Sequence, residues 1–156
     1  MAKGDRKITM TIEIINSLSY TNFPGIAWQI EQVKAGKSDA LWLATPHEDA
    51  AYLLTKIGLD PALVYDMYAQ CYLENIDSKN GIWWTDLPVP NNAQFVINKD
   101  RTKSIISRGH ELARVRWFND SKRIVQAVVW YDLDGKIDYK DIYRRDGKLF
   151  AKQYFL

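Results

Sequence analysis

The first half of the chain alternates between apolar and polar residues before it changes to helical spacing. Residues 8–15 place Ile or Met at the even positions and Thr or Glu between them, and a period of two predicts a strand. Further along, Ile26, Ile30 and Val33 recur at helical spacing, which predicts a helix. A short apolar run at residues 40–44 predicts a second, buried strand.

Two local signals predict further helices. In Thr45-Pro46-His47-Glu48, the threonine can cap a helix, the proline fits its first position and the glutamate can bond back to the cap. We expect this helix over residues 46–57, ended by Gly58. Asp60-Pro61 repeats the device and predicts another helix that carries apolar residues as far as Tyr72.

The last third of the chain contains three copies of one short pattern, at residues 117–122, 130–136 and 142–148. Each copy places an aromatic residue before a turn of Asp, Asn, Gly or Ser, with a Lys after it. Asp-Gly between strand-forming runs is a strong hairpin signal, because glycine accepts the positive φ of tight turns. The pattern predicts an antiparallel meander of about four strands.

Both faces of this meander are predicted to be apolar. Alternate residues of a strand point to opposite faces, and here each face receives large apolar side chains: Ile124, Val128 and Trp130 on one, and Val125, Val129 and Tyr131 on the other. A sheet with one face exposed to solvent would carry polar residues on that face. We therefore expect something to cover each face.

These elements predict an α+β fold, with a small α/β layer followed by an antiparallel β-meander sheet. We expect the layer at residues 1–75, a connector at 76–100 and the meander at 101–156, and the two halves could share one compact unit. The sequence stops at Leu156 inside an apolar strand pattern. We expect such a chain to be a piece of a longer protein or to lie against a partner.

Composition narrows the function classes only a little. The formal net charge of +2 is too small to indicate nucleic acid or an anionic membrane as partner, and no apolar run has the length of a membrane span. Basic residues beside Trp117 and Phe118 resemble a stacking surface for single strands, but acids are as frequent downstream. One cysteine, Cys71, excludes an intrachain disulfide, and we expect a cytoplasmic location.

No catalytic set, metal site or cofactor motif is visible in the sequence. His47 and His110 lie at turns or helix starts and, with Cys71, lack the spacing of a metal site. Gly25 follows the first strand without the further glycines of a dinucleotide fingerprint. We therefore expect no catalytic residue, no metal and no cofactor.

Four segments of the second half resemble a known family. They read Leu87-Pro88-Val89-Pro90, then residues 113–118 (ARVRWF), 123–132 (RIVQAVVWYD) and 141–152 (DIYRRDGKLFAK). This stretch, about residues 83–155, is similar to the β-sheet domain inserted in the accessory-Sec adhesin glycosyltransferases of Gram-positive bacteria. It is most similar to their non-catalytic, substrate-recognising subunit, and related meanders occur in wall teichoic acid glycosyltransferases.

The resemblance implies a role in docking. In that family the inserted sheets of two subunits associate, and one subunit holds a Ser/Thr-rich acceptor polypeptide while the other transfers N-acetylglucosamine. The donor-sugar residues of the family lie in a half that has no counterpart here, so none is carried over. The implied partner is a glycosyltransferase subunit or a Ser/Thr-rich polypeptide, and a homo-oligomer remains open.

The residues that we predict to contact a partner are mainly aromatic, because aromatic side chains give large contact area at low entropic cost. They are Trp83, Trp84, Arg114, Arg116, Trp117, Trp130, Tyr131, Tyr139 and Tyr143. Each could equally serve core or turn packing, and the two arginines could simply keep an edge strand soluble. Two other functions stay open: an N-terminal fragment of an active glycosyltransferase, or a self-sufficient domain that binds carbohydrate or peptide.

Overall fold

The structure, a computed structural model, describes residues 9–68, 70, 73, 81–121 and 123–156. The chain divides into two compact units, Met1–Ile76 and Asp77–Leu156. Among the described residues the first unit holds two α-helices and a small parallel sheet, and the second holds an antiparallel sheet. The α+β class and the meander are therefore as predicted.

The first unit alternates strands and helices. Its three strands pair in the order β1-β2-β3, all parallel. The elements are β1 (Ile12–Ile15), α1 (Pro24–Lys34), β2 (Ala40–Leu43), α2 (Ala50–Ile57) and β3 (Val64–Asp66). The two strands and the first helix predicted from apolar spacing are confirmed.

The start of α2 differs from the prediction. The helix begins at Ala50, after an N-cap at Asp49, rather than at Pro46. The hydroxyl of Thr45 donates a hydrogen bond to the backbone carbonyl of Asn16 and so does not cap the helix. The end of α2 is as predicted, because Gly58 adopts a φ of 68° and terminates the helix in the left-handed conformation.

The prediction of a helix after Asp60 is wrong. The Asp60 side chain does accept a hydrogen bond from the Ala62 N–H, but it caps only the single 3-10 turn Pro61–Leu63. The chain then enters β3, whose Val64 pairs with Leu41 of β2 and is buried. Strand pairing here overrides the local cap signal. Cys71 and Tyr72, the far end of the predicted helix, lie outside the described residues.

The described helices cover one face of the parallel sheet, and the described residues leave two large side chains of the other face exposed. Apolar residues of the strands and of both helices form the first core: Ile15, Ile30, Val33, Leu41, Leu43, Leu54 and Val64 are among its buried members. The other face carries a cross-strand row of Ile14, Trp42 and Tyr65, of which Ile14 and Tyr65 are exposed.

The second unit is a six-stranded antiparallel sheet whose spatial order follows the sequence. Its strands are β4 (Gln94–Ile97), β5 (Lys103–Ser107), β6 (His110–Trp117), β7 (Val125–Tyr131), β8 (Ile137–Tyr143) and β9 (Leu149–Tyr154). The meander is thus longer than the four strands expected, because β4 and β5 extend it upstream. The register shifts in each of the four ladders from β5 to β9.

The segment predicted as a connector contributes to the core of this second unit. Ile82, Trp84 and Val89 pack against a core that includes Leu87. Its other buried members lie on the sheet: Ile105, Ala113, Val115, Val125, Val128 and Tyr143. On β7, buried residues occupy both faces, as the sequence predicted, whereas β9 leaves Leu149 and Tyr154 exposed.

Candidate binding surface on the six-stranded sheet

One row of side chains crosses the whole sheet. Successive register pairs place one residue of each strand in it: Phe95, Ile105, Ala113, Trp130, Tyr139 and Tyr154. Ile105 and Ala113 are fully buried, while Tyr154 on the edge strand β9 is 65% exposed. The row therefore runs from the core to an accessible edge.

The last three residues of the row form what we call the aromatic strip: Trp130, Tyr139 and Tyr154. The ring centroids of Trp130 and Tyr139 are 5.9 Å apart with planes inclined by 23°. Those of Tyr139 and Tyr154 are 5.8 Å apart at 42°. These separations lie in the usual range for interacting rings, so the strip is held in place on three adjacent strands.

An ion pair lies beside the strip. The Trp130 Nε1–H donates to Asp141 Oδ2 at 2.9 Å, and Lys152 Nζ lies 2.7 Å from Asp141 Oδ1. The same ammonium is 4.2 Å from the centroid of Tyr139. Its hydrogen bond to Asp141 raises the pKa of Lys152, and burial raises the pKa of Tyr139. The surface thus offers flat apolar rings next to a fixed donor and acceptor.

Two other predicted residues, Trp84 and Trp117, face a lysine of their own chain. Lys103 Nζ lies 5.6 Å from the Trp84 ring centroid and 5.3 Å from that of Trp117. Trp84 also meets Phe95 edge to face at 5.0 Å. Both tryptophans pack against the second core, so their contacts join the segment before β4 to the sheet.

The remaining aromatic candidates lie apart from the strip. Trp83 is exposed and stacks under Arg123, whose guanidinium carbon is 5.9 Å from the ring centroid. Tyr143 is a buried member of the second core, and burial raises the pKa of its phenol. Tyr131 is half-buried at the end of β7.

The two candidate arginines lie on β6. Arg114 donates two hydrogen bonds of 2.9 Å to the carboxylate of Glu111, and this bond raises the pKa of Arg114. Glu111 also accepts a hydrogen bond from Ser104 at 2.6 Å. Arg116 is exposed. Arg114 is therefore already paired within its own sheet.

A cleft of about 410 Å³ opens where β6 begins and the β7–β8 turn projects. We call it the turn cleft. Eight of the described residues line it: His110, Glu111, Leu112, Tyr131, Asp132, Leu133, Asp134 and Gly135. Of these, the sequence singled out Tyr131 as a binding residue.

Sequence reasoning did not anticipate one compact group in the first unit. Ligand atoms of His47, Glu48 and Asp49 lie within 4.8 Å of one another. The two ring nitrogens of His47 already face partners, since Nε2 is 2.7 Å from the hydroxyl of Ser17 and Nδ1 is 3.5 Å from Asp49 Oδ1. A metal ion on Nε2 would therefore have to displace Ser17, and one on Nδ1 would have to lie between His47 and Asp49.

Two solved structures have a fold similar to that of this chain. The fold resembles a chain in the crystal structure of a GtfA/B complex bound to UDP and GlcNAc, with 15% identity, a TM-score of 0.62 and 93% of this chain covered. It also resembles a chain in the structure of accessory secretory proteins 1, 2 and 3 of Streptococcus pneumoniae, with 15% identity, a TM-score of 0.61 and 82% covered.

A family model then matches the sheet itself. Residues 90–156 match the family described as the GtfB middle domain, which confirms the resemblance seen in the sequence of this segment. The chain spans only 30% and 26% of the two solved chains. A search of curated proteins finds no significant match. In the part of the chain that the structure describes, no helix is long and apolar enough to cross a membrane.

Proposed function

We propose that this chain is a non-catalytic interaction domain of a bacterial protein O-glycosylation system, which recognises a Ser/Thr-rich acceptor polypeptide or docks a partner glycosyltransferase subunit. The observation that carries the proposal is the aromatic strip, which ends at the exposed Tyr154 on the edge of a sheet that matches the GtfB middle domain. Two related chains come from structures whose names describe complexes or several secretory proteins. The role would place the protein in the cytoplasm.

The edge position of the strip supports a polypeptide partner. Strand β9 is paired on one side only, and such an edge presents free backbone groups to which an extended segment can add. One side chain of that segment would then lie beside Tyr154 and continue the row of paired residues beyond β9. Lys152 lies beside the strip, and its partly exposed ammonium could donate to a hydroxyl or carbonyl group of the segment.

A titration of the full chain with a fluorescent Ser/Thr-rich peptide tests this proposal. We expect Tyr154→Ala to weaken binding by roughly tenfold or more, because exposed aromatic anchors often dominate interfaces. Its melting temperature should change little, since the side chain is 65% exposed. The matched control is Tyr68→Ala, which removes a tyrosine that is 61% exposed in the first unit. Equal peptide binding by wild type and Tyr154→Ala, or an equal loss in the control, contradicts the proposal.

One observation favours a second candidate, an N-terminal fragment of an active glycosyltransferase. The similarity to the GtfA/B chain extends over 93% of this chain and so includes the parallel sheet of the first unit. Extending the gene in frame, and incubating the longer product with UDP-GlcNAc and the same peptide, separates the candidates. An added nucleotide-sugar half that increases the mass of the peptide would favour the enzyme, and peptide that binds but gains no mass would favour the interaction domain. Binding of a glycan panel without peptide would favour the self-sufficient carbohydrate-binding domain.

A further inference from the structure

The turn cleft lies where two paired strands separate. The β6–β7 ladder is paired from Trp117 and Val125 to Ala113 and Trp130. Beyond that pair, β6 continues to its start at His110 alongside β5, while β7 turns into β8. The cleft of about 410 Å³ opens between them, and its volume falls in the range of about 300–1,000 Å³ that is usual for ligand pockets.

The cleft is lined by both apolar and acidic side chains. Leu112 and Tyr131 are half-buried, whereas carboxylates come from Glu111, Asp132 and Asp134. None of the eight described residues that line the cleft is Lys or Arg. The lining chemistry therefore favours a ligand that is cationic at one end and apolar along its length.

Two of the three carboxylates already have partners. Asp132 Oδ1 accepts the backbone N–H groups of Asp134 and Lys136 at 2.9 and 2.8 Å, and Glu111 holds Arg114. The exposed carboxylate of Asp134 makes no hydrogen bond or ion pair with the described residues. Asp134 is thus the carboxylate available to a ligand.

The spacing of the carboxylates disfavours a metal ion. Among the described residues, the group whose three ligand atoms come within 4.8 Å of one another is His47, Glu48 and Asp49. The carboxylates of the turn cleft are therefore spread more widely than one small ion requires. A planar guanidinium on an alkyl stem matches such an arrangement better, because it can bond carboxylates and stack on a tyrosine ring.

We propose that the turn cleft binds an arginine side chain of a protein partner, with its guanidinium on Asp134 and its stem against Tyr131 and Leu112. Leu133 at the tip of the turn is fully exposed and would contact an apolar residue beside that arginine. The inference rests on the proposed function in one respect, which is that the chain has a protein partner. It concerns residues outside the aromatic strip.

An NMR titration of the full ¹⁵N-labelled chain tests the inference, with N-acetyl-arginine amide as the probe. We expect saturable shifts in the backbone amides of residues 110–112 and 131–135. N-acetyl-citrulline amide, which has the same shape without the charge, should bind about threefold more weakly, as should the arginine probe to Asp134→Asn. N-acetyl-lysine amide should bind more weakly than arginine, because it lacks the planar fork.

The control variant is Asp138→Asn, which neutralises an exposed carboxylate on β8 outside the cleft and should bind the probe like wild type. Equal affinities for arginine and citrulline, shifts confined to other residues, or unchanged binding by Asp134→Asn would each overturn the inference. The citrulline comparison uses the wild-type chain and so does not depend on the folding of a variant. Tyr154→Ala should leave arginine binding unchanged, so failure of the acceptor-peptide titration would affect the proposed function alone.

Discussion

Residues at equivalent positions of the repeated turn pattern differ in their exposure and in their partners. The turns after β7 and after β8 are built alike, since Gly135 bonds back to Asp132 and Gly147 bonds back to Arg144. Asp134 and Asp146 occupy the same place in the two turns. Asp134 is exposed, whereas Asp146 lies 2.6 Å from Arg144 in an ion pair whose side chains are each 8% exposed.

We predict that Asp146→Asn destabilises the protein by about 3 kcal/mol, because it removes a charged partner of the buried Arg144. Asp134→Asn makes the same chemical change in the equivalent exposed turn and should alter stability by less than about 0.5 kcal/mol. Urea unfolding monitored by tryptophan fluorescence measures both. Equal losses in the two variants would show that the ion pair contributes nothing.

The buried tyrosine of the second core should make stability depend on alkaline pH. Burial raises the pKa of Tyr143 above its ordinary value of 10.0, so the unfolded chain loses this proton first. The contribution is fully present below about pH 10 and is lost as the pH rises through the folded-state pKa. The raised pKa values of Tyr139 and Lys152 act in the same direction.

We therefore predict that the free energy of unfolding falls above about pH 10, and that Tyr143→Phe makes this fall shallower. Urea unfolding at several pH values between about 8 and 11 measures the slope. A spectrophotometric titration of the folded chain should also lose a late-ionising phenol in the variant. An unchanged slope would mean that Tyr143 ionises alike in the folded and unfolded states.

At the scale of elements, the turn between β8 and β9 is constrained by the chain that crosses it. Gly147 has a φ of 83°, and a Cβ placed on it would lie 2.9 Å from the backbone nitrogen of Ile82. Gly135 in the equivalent turn has a φ of 77°, with nothing within 4 Å of such a Cβ. The same backbone conformation thus occurs in a crowded turn and in an open one.

We predict that Gly135→Ala costs about 1 kcal/mol, which is the cost of positive φ alone. Gly147→Ala should cost at least about 1 kcal/mol more, because the Ile82 backbone must also move. Differential scanning calorimetry of the two variants gives the comparison. If both lose the same stability, the segment before β4 is not held against this turn.

Elements with strong local patterns could be predicted from the sequence, and those decided by pairing could not. The apolar spacing predicted α1 and the strand β2, and the repeated Asp-Gly turns predicted the hairpins that follow β7 and β8. The side chains of Thr45 and Asp60 do form hydrogen bonds, but neither caps an α-helix. Thr45 donates to the Asn16 carbonyl, and Asp60 caps a single 3-10 turn. Which partner a polar side chain takes depends on chain segments that are distant in sequence.

Only part of the candidate surface was predicted, because its contacts also depend on segments that are distant in sequence. Trp130 and Tyr139 were singled out as aromatic residues of the meander, whereas Tyr154, Asp141 and Lys152 were not. Their proximity follows from cross-strand register. Register shifts in four successive ladders move those pairs, so simple alternation along each strand could not have located them.

For the whole molecule, the exposed apolar surface predicts association. Each unit has exposed apolar side chains of its own, Ile14 and Tyr65 in the first and Tyr154 in the second. Exposed apolar patches usually mark interaction sites. We expect the molar mass from light scattering to rise with concentration, and Tyr154→Ala to reduce that rise. A monomer at every concentration would instead favour the self-sufficient binding domain.

The order of the six strands has a kinetic consequence. Every strand of this sheet pairs with its neighbour in sequence, so each pairing closes one short loop and contact order is low for a β-protein. The parallel strands β1, β2 and β3 need long crossovers and should form later. A chain with this topology can also gain or lose a terminal hairpin without breaking another ladder, so the length of such a sheet can change in evolution one hairpin at a time.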